Sequence, residues 1–263
     1  MNEIDSKKLL KMTLYTAEIL LQSGAETYRV EDTIVRMCTS RGFDYVESFV
    51  TPTGIFLSLN NKGDKPEDII TLVRRIKSRS INLNRVAKVN DFSRQFVSSD
   101  MSIEEAFNIL KDIDKIKPYP ALIHAIFGGI ASAFVTLLFG ANIFEFMAAF
   151  ITSIMVTFSI KNLDKISFPP FLTNISGGCV ATIFAIIFAS LYPAIRIDMV
   201  VVGAIMVMVP GVAITNAVRD SISGDLISGL AKAAEAVIIA TSIAFGVGFI
   251  LQLWILISGG KLL

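Results

Sequence analysis

The chain has 263 residues, of which 53% are hydrophobic and only 18% charged, with a formal net charge of +1 and a mean hydropathy of +0.63. The charge is segregated: residues 1–118 hold 18 of the 24 Lys+Arg and 17 of the 23 Asp+Glu, which leaves 6 and 6 for residues 119–263. This excludes an ordinary soluble enzyme, a disordered chain and a secreted disulfide scaffold. It predicts an integral membrane protein, α-helical over 119–263 with five transmembrane helices, joined to a polar N-terminal domain, 1–118. Near-neutral charge, with no stretch that clusters basic residues with aromatics, argues against a nucleic-acid partner. Cys38 and Cys179 fall in different halves and read as small buried residues rather than a disulfide or metal pair. Met1 to Lys11 carries Glu3, Asp5, Lys7, Lys8 and Lys11 and no apolar run, so no cleaved signal peptide is expected.

The polar half reads as a mixed α/β domain. Asp5 or Ser6 can cap a first helix running to about Gln22. Ser23-Gly24-Ala25-Glu26 has the spacing of a capping box, in which Ser23 accepts from the Glu26 amide and Glu26 reaches back. The helix that follows carries Val30, Ile34 and Met37 on one stripe and stops at Arg41-Gly42, where glycine suits the left-handed position. Phe43 to Val50 is rich in aromatic and β-branched residues, Thr51-Pro52-Thr53-Gly54 reads as a turn, and Ile55, Leu57 and Leu59 alternate with Phe56 and Ser58 as a strand. Asn60 to Lys65 is a second turn. Residues 69–76 fit either a helix or a strand. A helix from about Asn84 to Val97 precedes a second capping box, Ser102-Ile103-Glu104-Glu105, whose helix feeds directly into the first span.

Five segments reach the roughly 20 apolar residues that a span needs. They run from about Ala121 to Phe139, Ile143 to Ile160, Pro170 to Tyr192, Met199 to Val218 and Ala233 to Ile257, with Lys161-Asn162-Leu163-Asp164-Lys165 closing the second. With the N-terminal domain in the cytoplasm, Lys161, Lys165, Arg219 and Lys232 lie inside, whereas Arg196 and Lys261 lie outside. The expected topology is therefore multi-pass, with the N-terminus cytoplasmic and the C-terminus outside. The five spans show no internal repeat. A transporter of this size would then assemble with copies of itself or with another subunit.

Several residues stand out against the apolar background. Pro210-Gly211 interrupts the fourth span, either as a packing kink or as a break that lines a solute path. Asn216 and Asp220 are four apart on one helical face; Arg219 adjoins them, and Asp225, Lys232 and Glu235 follow. An ionisable group within a span is costly and is a functional candidate by default. Arg219, Asp225 and Lys232 read equally well as solvated loop charges, while Asp220 and Glu235 adjoin apolar runs. Asn216 either bridges helices or binds solute. Asn174 with Ser176-Gly177-Gly178 permits close helix approach. His124 and Glu145 read as interfacial. Glu26 and Arg29 either pair at i, i+3 or form a regulatory, gating surface. Walker loops, His/Cys metal spacings and Ser/His/Asp sets are absent, so neither an enzyme nor a cofactor is expected.

The run Leu21-Gln22-Ser23-Gly24-Ala25-Glu26-Thr27-Tyr28-Arg29-Val30-Glu31 resembles that of the bacterial threonine/serine exporter family. So do Val50-Thr51-Pro52-Thr53-Gly54, Asn82-Leu83-Asn84-Arg85-Val86, and the membrane run from Val209-Pro210-Gly211 through Asn216 to Arg219-Asp220, then Gly224-Asp225 and Gly229. The resemblance covers essentially the whole chain in one order and favours a strand at residues 69–76. It implies the short, split form, in which a separate small membrane subunit supplies the second transmembrane half. It also implies export of small polar metabolites, threonine/serine-type amino acids or dicarboxylates such as succinate, coupled to the proton motive force. On that reading the substrate and transport residues are Asn174, Pro210, Gly211, Asn216, Asp220, Asp225 and Glu235, with Glu26 and Arg29 gating from the polar domain. The partners are membrane lipid, the small subunit, a small-molecule solute and further copies of the chain. The rival reading is a channel or ligand-sensing regulatory membrane subunit.

Overall fold

The computed structural model describes residues 3–61 and 69–258. The end of the expected turn, residues 62–65, and Lys261 lie outside the described residues. The chain divides into two compact units: Met1–Pro118 with Val212–Ala233, and Tyr119–Gly211 with Ala234–Leu263. The second half of the fourth expected span and the stretch before the fifth therefore pack with the polar N-terminal residues.

In the first unit, α1 (Glu3–Gln22) and α2 (Thr27–Thr39) lead into an antiparallel meander of β1 (Phe43–Thr51), β2 (Gly54–Asn61) and β3 (Ile70–Arg75), followed by α3 (Leu83–Ser98) and α4 (Ile103–Asp114). Residues 70–75 form a strand, because Leu59 and Leu57 on β2 give Ile70 and Leu72 ladder partners. The alternation in β2 faces inward as expected: Ile55, Leu57 and Leu59 are buried, while Phe56 is exposed. One core joins Leu9, Leu20, Ile34, Leu57, Phe96 and Leu110. Ser102 Oγ accepts from Glu105 N at 3.2 Å, the N-cap half of the expected box. Arg41 closes the far end of α3: its guanidinium donates to the Phe96, Ser99 and Met101 carbonyls and lies over the Phe96 ring.

Two cap expectations are corrected. The first helix begins at Glu3, so Ser6 lies inside it and is buried. The Ser23-Gly24-Ala25-Glu26 box does not form, because Ser23, Gly24 and Ala25 close α1, and Glu26 is itself the N-cap residue of α2, with no side-chain cap bond. Gly24, at φ +90°, places its amide on Leu21 O and the Ala25 amide on Leu20 O, the paired bonds of a Schellman motif. Ser23 Oγ is then buried with no hydrogen-bond partner among the described residues.

The second unit is helical. Its helices α5 (Ala121–Leu138), α6 (Ile143–Lys165), α7 (Pro170–Leu191) and α10 (Leu226–Ile257, of which the part from Ala234 belongs here) are each long and apolar enough to cross a membrane. The segment α8 (Ile197–Ile205), with a 3-10 turn over Met206–Met208, and α9 (Gly211–Ile222) pass the same test only together, bent at a break that makes them either one broken span or a re-entrant loop, so four of the five expected spans are present as single helices and the fourth is not. The break falls at Val209-Pro210. Proline pushes the residue before it out of helical geometry, and Val209 has ψ of 127°. The polar block Lys161–Lys165 does not close α6, which continues through Lys165. The stop comes at Ser167, with φ 53°, ahead of Pro169-Pro170.

Glu145, in the first turn of α6, is fully buried. It forms a capping box with Asn142 and an ion pair with Arg196 Nε at 2.8 Å. His124 is exposed on α5. The small residues of α7 do pack closely, since a Cβ on Gly178 would lie 2.6 Å from the Ile243 carbonyl oxygen of α10.

Candidate functional site: a buried ion pair at the start of α2

The first-turn amides of a helix have no partner within it. With the capping box unformed, α2 needs an acceptor from elsewhere, and Asp220 of α9 supplies it. One carboxylate oxygen, Oδ1, accepts from the Thr27 amide at 3.2 Å. The other, Oδ2, accepts from the Thr27 hydroxyl at 2.7 Å and from Lys232 Nζ at 2.6 Å. Lys232 Nζ also donates to Thr27 Oγ1 at 3.2 Å, so the hydroxyl gives one hydrogen bond and takes one. Asp220 is 0% exposed and Lys232 5%. The centre is thus a dry carboxylate–ammonium pair with a hydroxyl wedged against it.

The chain builds this centre with a tight helical hairpin. Asn216 and Asp220, four apart on α9, share a face. Gly224, at φ +95°, then lets the Asp225 amide reach Asp220 O at 2.8 Å and reverses the chain. The helix α10 starts at Leu226, before the expected Ala233, and Lys232 lies in its second turn, beside Asp220. Other bonds fasten the hairpin within the unit. Asn216 Nδ2 donates to Gly24 O at 3.1 Å, and Ser228 Oγ donates to Val50 O at 3.3 Å. Arg219 Nη1 meets Glu26 Oε1 at 2.5 Å, while Arg29 Nε meets Glu26 Oε2 at 2.9 Å. Glu31 accepts from the Val50 amide at 2.8 Å.

Electrostatics separates these acids. Burial pushes the Glu26 carboxyl up, but its own backbone hydrogen bond and the guanidinium groups of Arg29 and Arg219 hold it below its ordinary value. Burial raises Glu31, with Asp225 and Asp220 adding to it; burial and Asp220 raise Asp225. A depressed carboxyl stabilises the fold above its unfolded value, near 4.3. That share is lost as pH falls through the lower folded value. Glu26→Gln is therefore expected to melt below the native chain at neutral pH, and the gap is expected to close in acid. Thermal unfolding in detergent from pH 7 to 3 reads this. A gap that does not change with pH would remove the charge from the explanation.

Of the residues singled out in the sequence, Glu26, Arg29, Asn216, Asp220 and Asp225 come together in the first unit. Asn174, Pro210, Gly211 and Glu235 lie in the second unit, Asn174 half-buried on α7 and Glu235 half-buried on α10. Thr27 was missed, and Lys232 was not placed in the site. The available signal was a lysine in an otherwise largely apolar helix, 12 residues past Asp220 and across the Gly224 turn.

The family model described as "Putative threonine/serine exporter" matches residues 11–254. A protein of Mycobacterium tuberculosis named "Probable threonine/serine exporter" is 22% identical over 94% of this chain and 46% of its own length. The "Threonine/serine exporter" of Corynebacterium glutamicum is 23% identical over 93% of this chain and 51% of its own. The "Probable succinate transporter subunit YjjP" of Klebsiella aerogenes is 24% identical over 95% of each chain. The chain thus spans about half the length of the first two relatives and nearly all of the third. No solved structure gives a significant match.

Proposed function

The chain belongs to the threonine/serine exporter family, and from that premise we propose that it is one subunit of a secondary exporter driven by the proton motive force. Its relatives carry transporter names, its apolar helices make it a multi-pass membrane protein, and a membrane exporter is the activity both support. The solutes proposed are small polar metabolites, threonine/serine-type amino acids or dicarboxylates such as succinate.

The observation that carries this reading is the buried Asp220–Lys232 pair with Thr27. Secondary transport needs a charge whose partner can be exchanged as access alternates. A carboxylate satisfied by an ammonium and a hydroxyl is such a group: a proton or a solute ammonium can take the place of Lys232, and a solute carboxylate can take the place of Asp220 on Lys232. Asn216 and Asp225 stand beside the pair, while Glu26 and Arg29 fix the helix start it holds and so act as the gate. The Pro210-Gly211 break, Asn174 and Glu235 supply polar groups in the membrane unit, where a broken helix needs new hydrogen-bond partners.

Residues 1–118 are proposed to be cytoplasmic and the C-terminus external, in a prokaryotic plasma membrane, on the excess of basic residues at one set of span ends. A separate small membrane subunit is proposed to complete the translocation unit, which further copies of the chain could enlarge. The name "subunit" and the coverage of the YjjP relative support this. Co-reconstitution of this chain with such a subunit in proteoliposomes tests the reading. Saturable efflux of succinate or threonine that follows an imposed pH gradient and needs both chains is expected. Non-saturable flux indifferent to the gradient would make the unit a channel and overturn it.

A further inference from the structure

Away from the Asp220–Lys232 pair, the first unit holds an open cavity of about 350 Å³ between α2 and α3. Tyr28, Arg29, Asp32 and Arg36 line it from α2, and Asn90 and Arg94 from α3. Three guanidinium groups thus face one carboxylate. Asp32 is already held by both Arg36 Nε and Arg36 Nη2. Arg29 is held by Glu26. Among the described residues Arg94 has no ion-pair partner, so the cavity carries uncompensated positive charge next to neutral hydrogen-bonding groups.

Guanidinium groups recognise carboxylates through two parallel hydrogen bonds, and an unpaired one lining a cavity is a ready half of that arrangement. The spacing narrows the ligand. Arg29 and Arg36 are seven residues apart, about 10 Å along the helix axis, and Arg94 approaches from the facing helix. Since Asp32 occupies Arg36, an acid with two carboxylates can seat one on the free Arg94 guanidinium and with the other compete with Glu26 for Arg29, which a single compact anion does not do.

We propose that this cavity is a regulatory binding site for a small dicarboxylate. Its route to the ion pair is short and lies within α2. Arg29 is one of two cations on Glu26, and Thr27, the residue that follows Glu26, is the one Asp220 holds. A ligand that draws the Arg29 guanidinium into the cavity leaves Glu26 to Arg219 alone and loosens the start of α2 where Asp220 caps it. Occupancy therefore reaches the pair without the ligand touching it.

The test is calorimetric titration of the full chain in nanodiscs with succinate, and with sulfate and threonine as separate arms. Succinate is expected to bind, and Arg94→Gln to weaken it at least tenfold while leaving the ligand-free melting temperature unchanged. Lys88→Gln, an exposed change elsewhere on α3, is expected to bind as the native chain does. The site stands apart from the transport reading: the charge-neutral double variant Asp220→Asn/Lys232→Met is expected to keep this binding although it does not transport. Absence of succinate binding, or binding indifferent to Arg94→Gln, would overturn the proposal. Tighter Arg94-dependent binding of sulfate or of threonine would overturn the ligand class.

Discussion

Gly246→Ala is expected to pry α10 from α7 and to destabilise the membrane unit by about 1–3 kcal/mol, toward the upper end of what overpacking costs. A Cβ at Gly246 would lie 2.2 Å from the Ile175 carbonyl oxygen and 3.1 Å from the Cys179 amide nitrogen. Both obstacles are backbone, so no rotamer change relieves them. The contact is mutual, because Gly178 on α7 meets the Ile243 carbonyl of α10 at 2.6 Å by the same measure. In lipid such helix pairs are held by close packing and not by water exclusion, so distance is the quantity that matters. The comparison is Gly248→Ala, two residues further along α10, where a Cβ would have nothing within 4 Å. That variant is expected to be as stable as the native chain, or slightly more so, since alanine is the better helix former by about 1 kcal/mol. Unfolding in mixed micelles checks the pair. Equal stability of Gly246→Ala and the native chain would show that the helices have room to separate.

That contact illustrates which features a sequence makes legible. Gly177-Gly178 could be read as a place where another helix comes close, because small residues in a span have few other uses. The partner of Gly178 could not be read, because Gly246 lies far along the chain and looks like any glycine in an apolar run. The same asymmetry runs through the fold. The period-2 pattern of Ile55, Leu57 and Leu59 and the apolar character of four of the five expected spans are local, and they emerge as expected. The strand at residues 70–75 was locally undecided, since Leu72 and Ile76 serve either period, and its ladder with β2 decides it. The α6 boundary was misjudged because Lys161–Lys165 is polar but contains no breaker. Helices stop for backbone reasons, here Ser167 and the prolines behind it.

The site shows a sharper form of this limit. Ser23-Gly24-Ala25-Glu26 satisfies the capping-box spacing, yet Gly24 offers the chain a competing use as the end of α1. That use prevails, because it satisfies two α1 carbonyls at once. The amide left over at Thr27 is then capped by a residue 193 positions away. Lys232 looked like a loop charge for a similar reason. Its counter-charge lies 12 residues back, across a turn whose reversal depends on the positive φ of Gly224. Asp220 and Asn216 were visible because polarity on an apolar helix face needs no partner to be noticed.

Lys232→Met is expected to cost about 3–5 kcal/mol of stability in the first unit, because it strands a fully buried carboxylate. Asp220→Asn is expected to be harmful for the mirror-image reason. Asparagine keeps an acceptor for Thr27 but leaves the Lys232 ammonium without its anion. Combining the two removes both charges. Since a buried pair often roughly breaks even against neutral groups of similar size, the double variant is expected to return to within about 1 kcal/mol of the native chain. The cycle thus predicts a strong favourable coupling between two individually damaging changes, measurable by unfolding in mixed micelles. Transport is expected to diverge from stability at this point. If the pair only fastens the hairpin to α2, the double variant should carry solute as the native protein does. If Asp220 trades its ammonium for a proton or a solute group during export, no neutral substitute can perform the exchange, and pH-driven flux should stay at background in both single variants and in the double. We expect recovered stability with unrecovered flux, assayed with the partner subunit in proteoliposomes. Native flux from a stable Asp220→Asn/Lys232→Met protein would reduce the pair to a structural pin and move the transport site elsewhere.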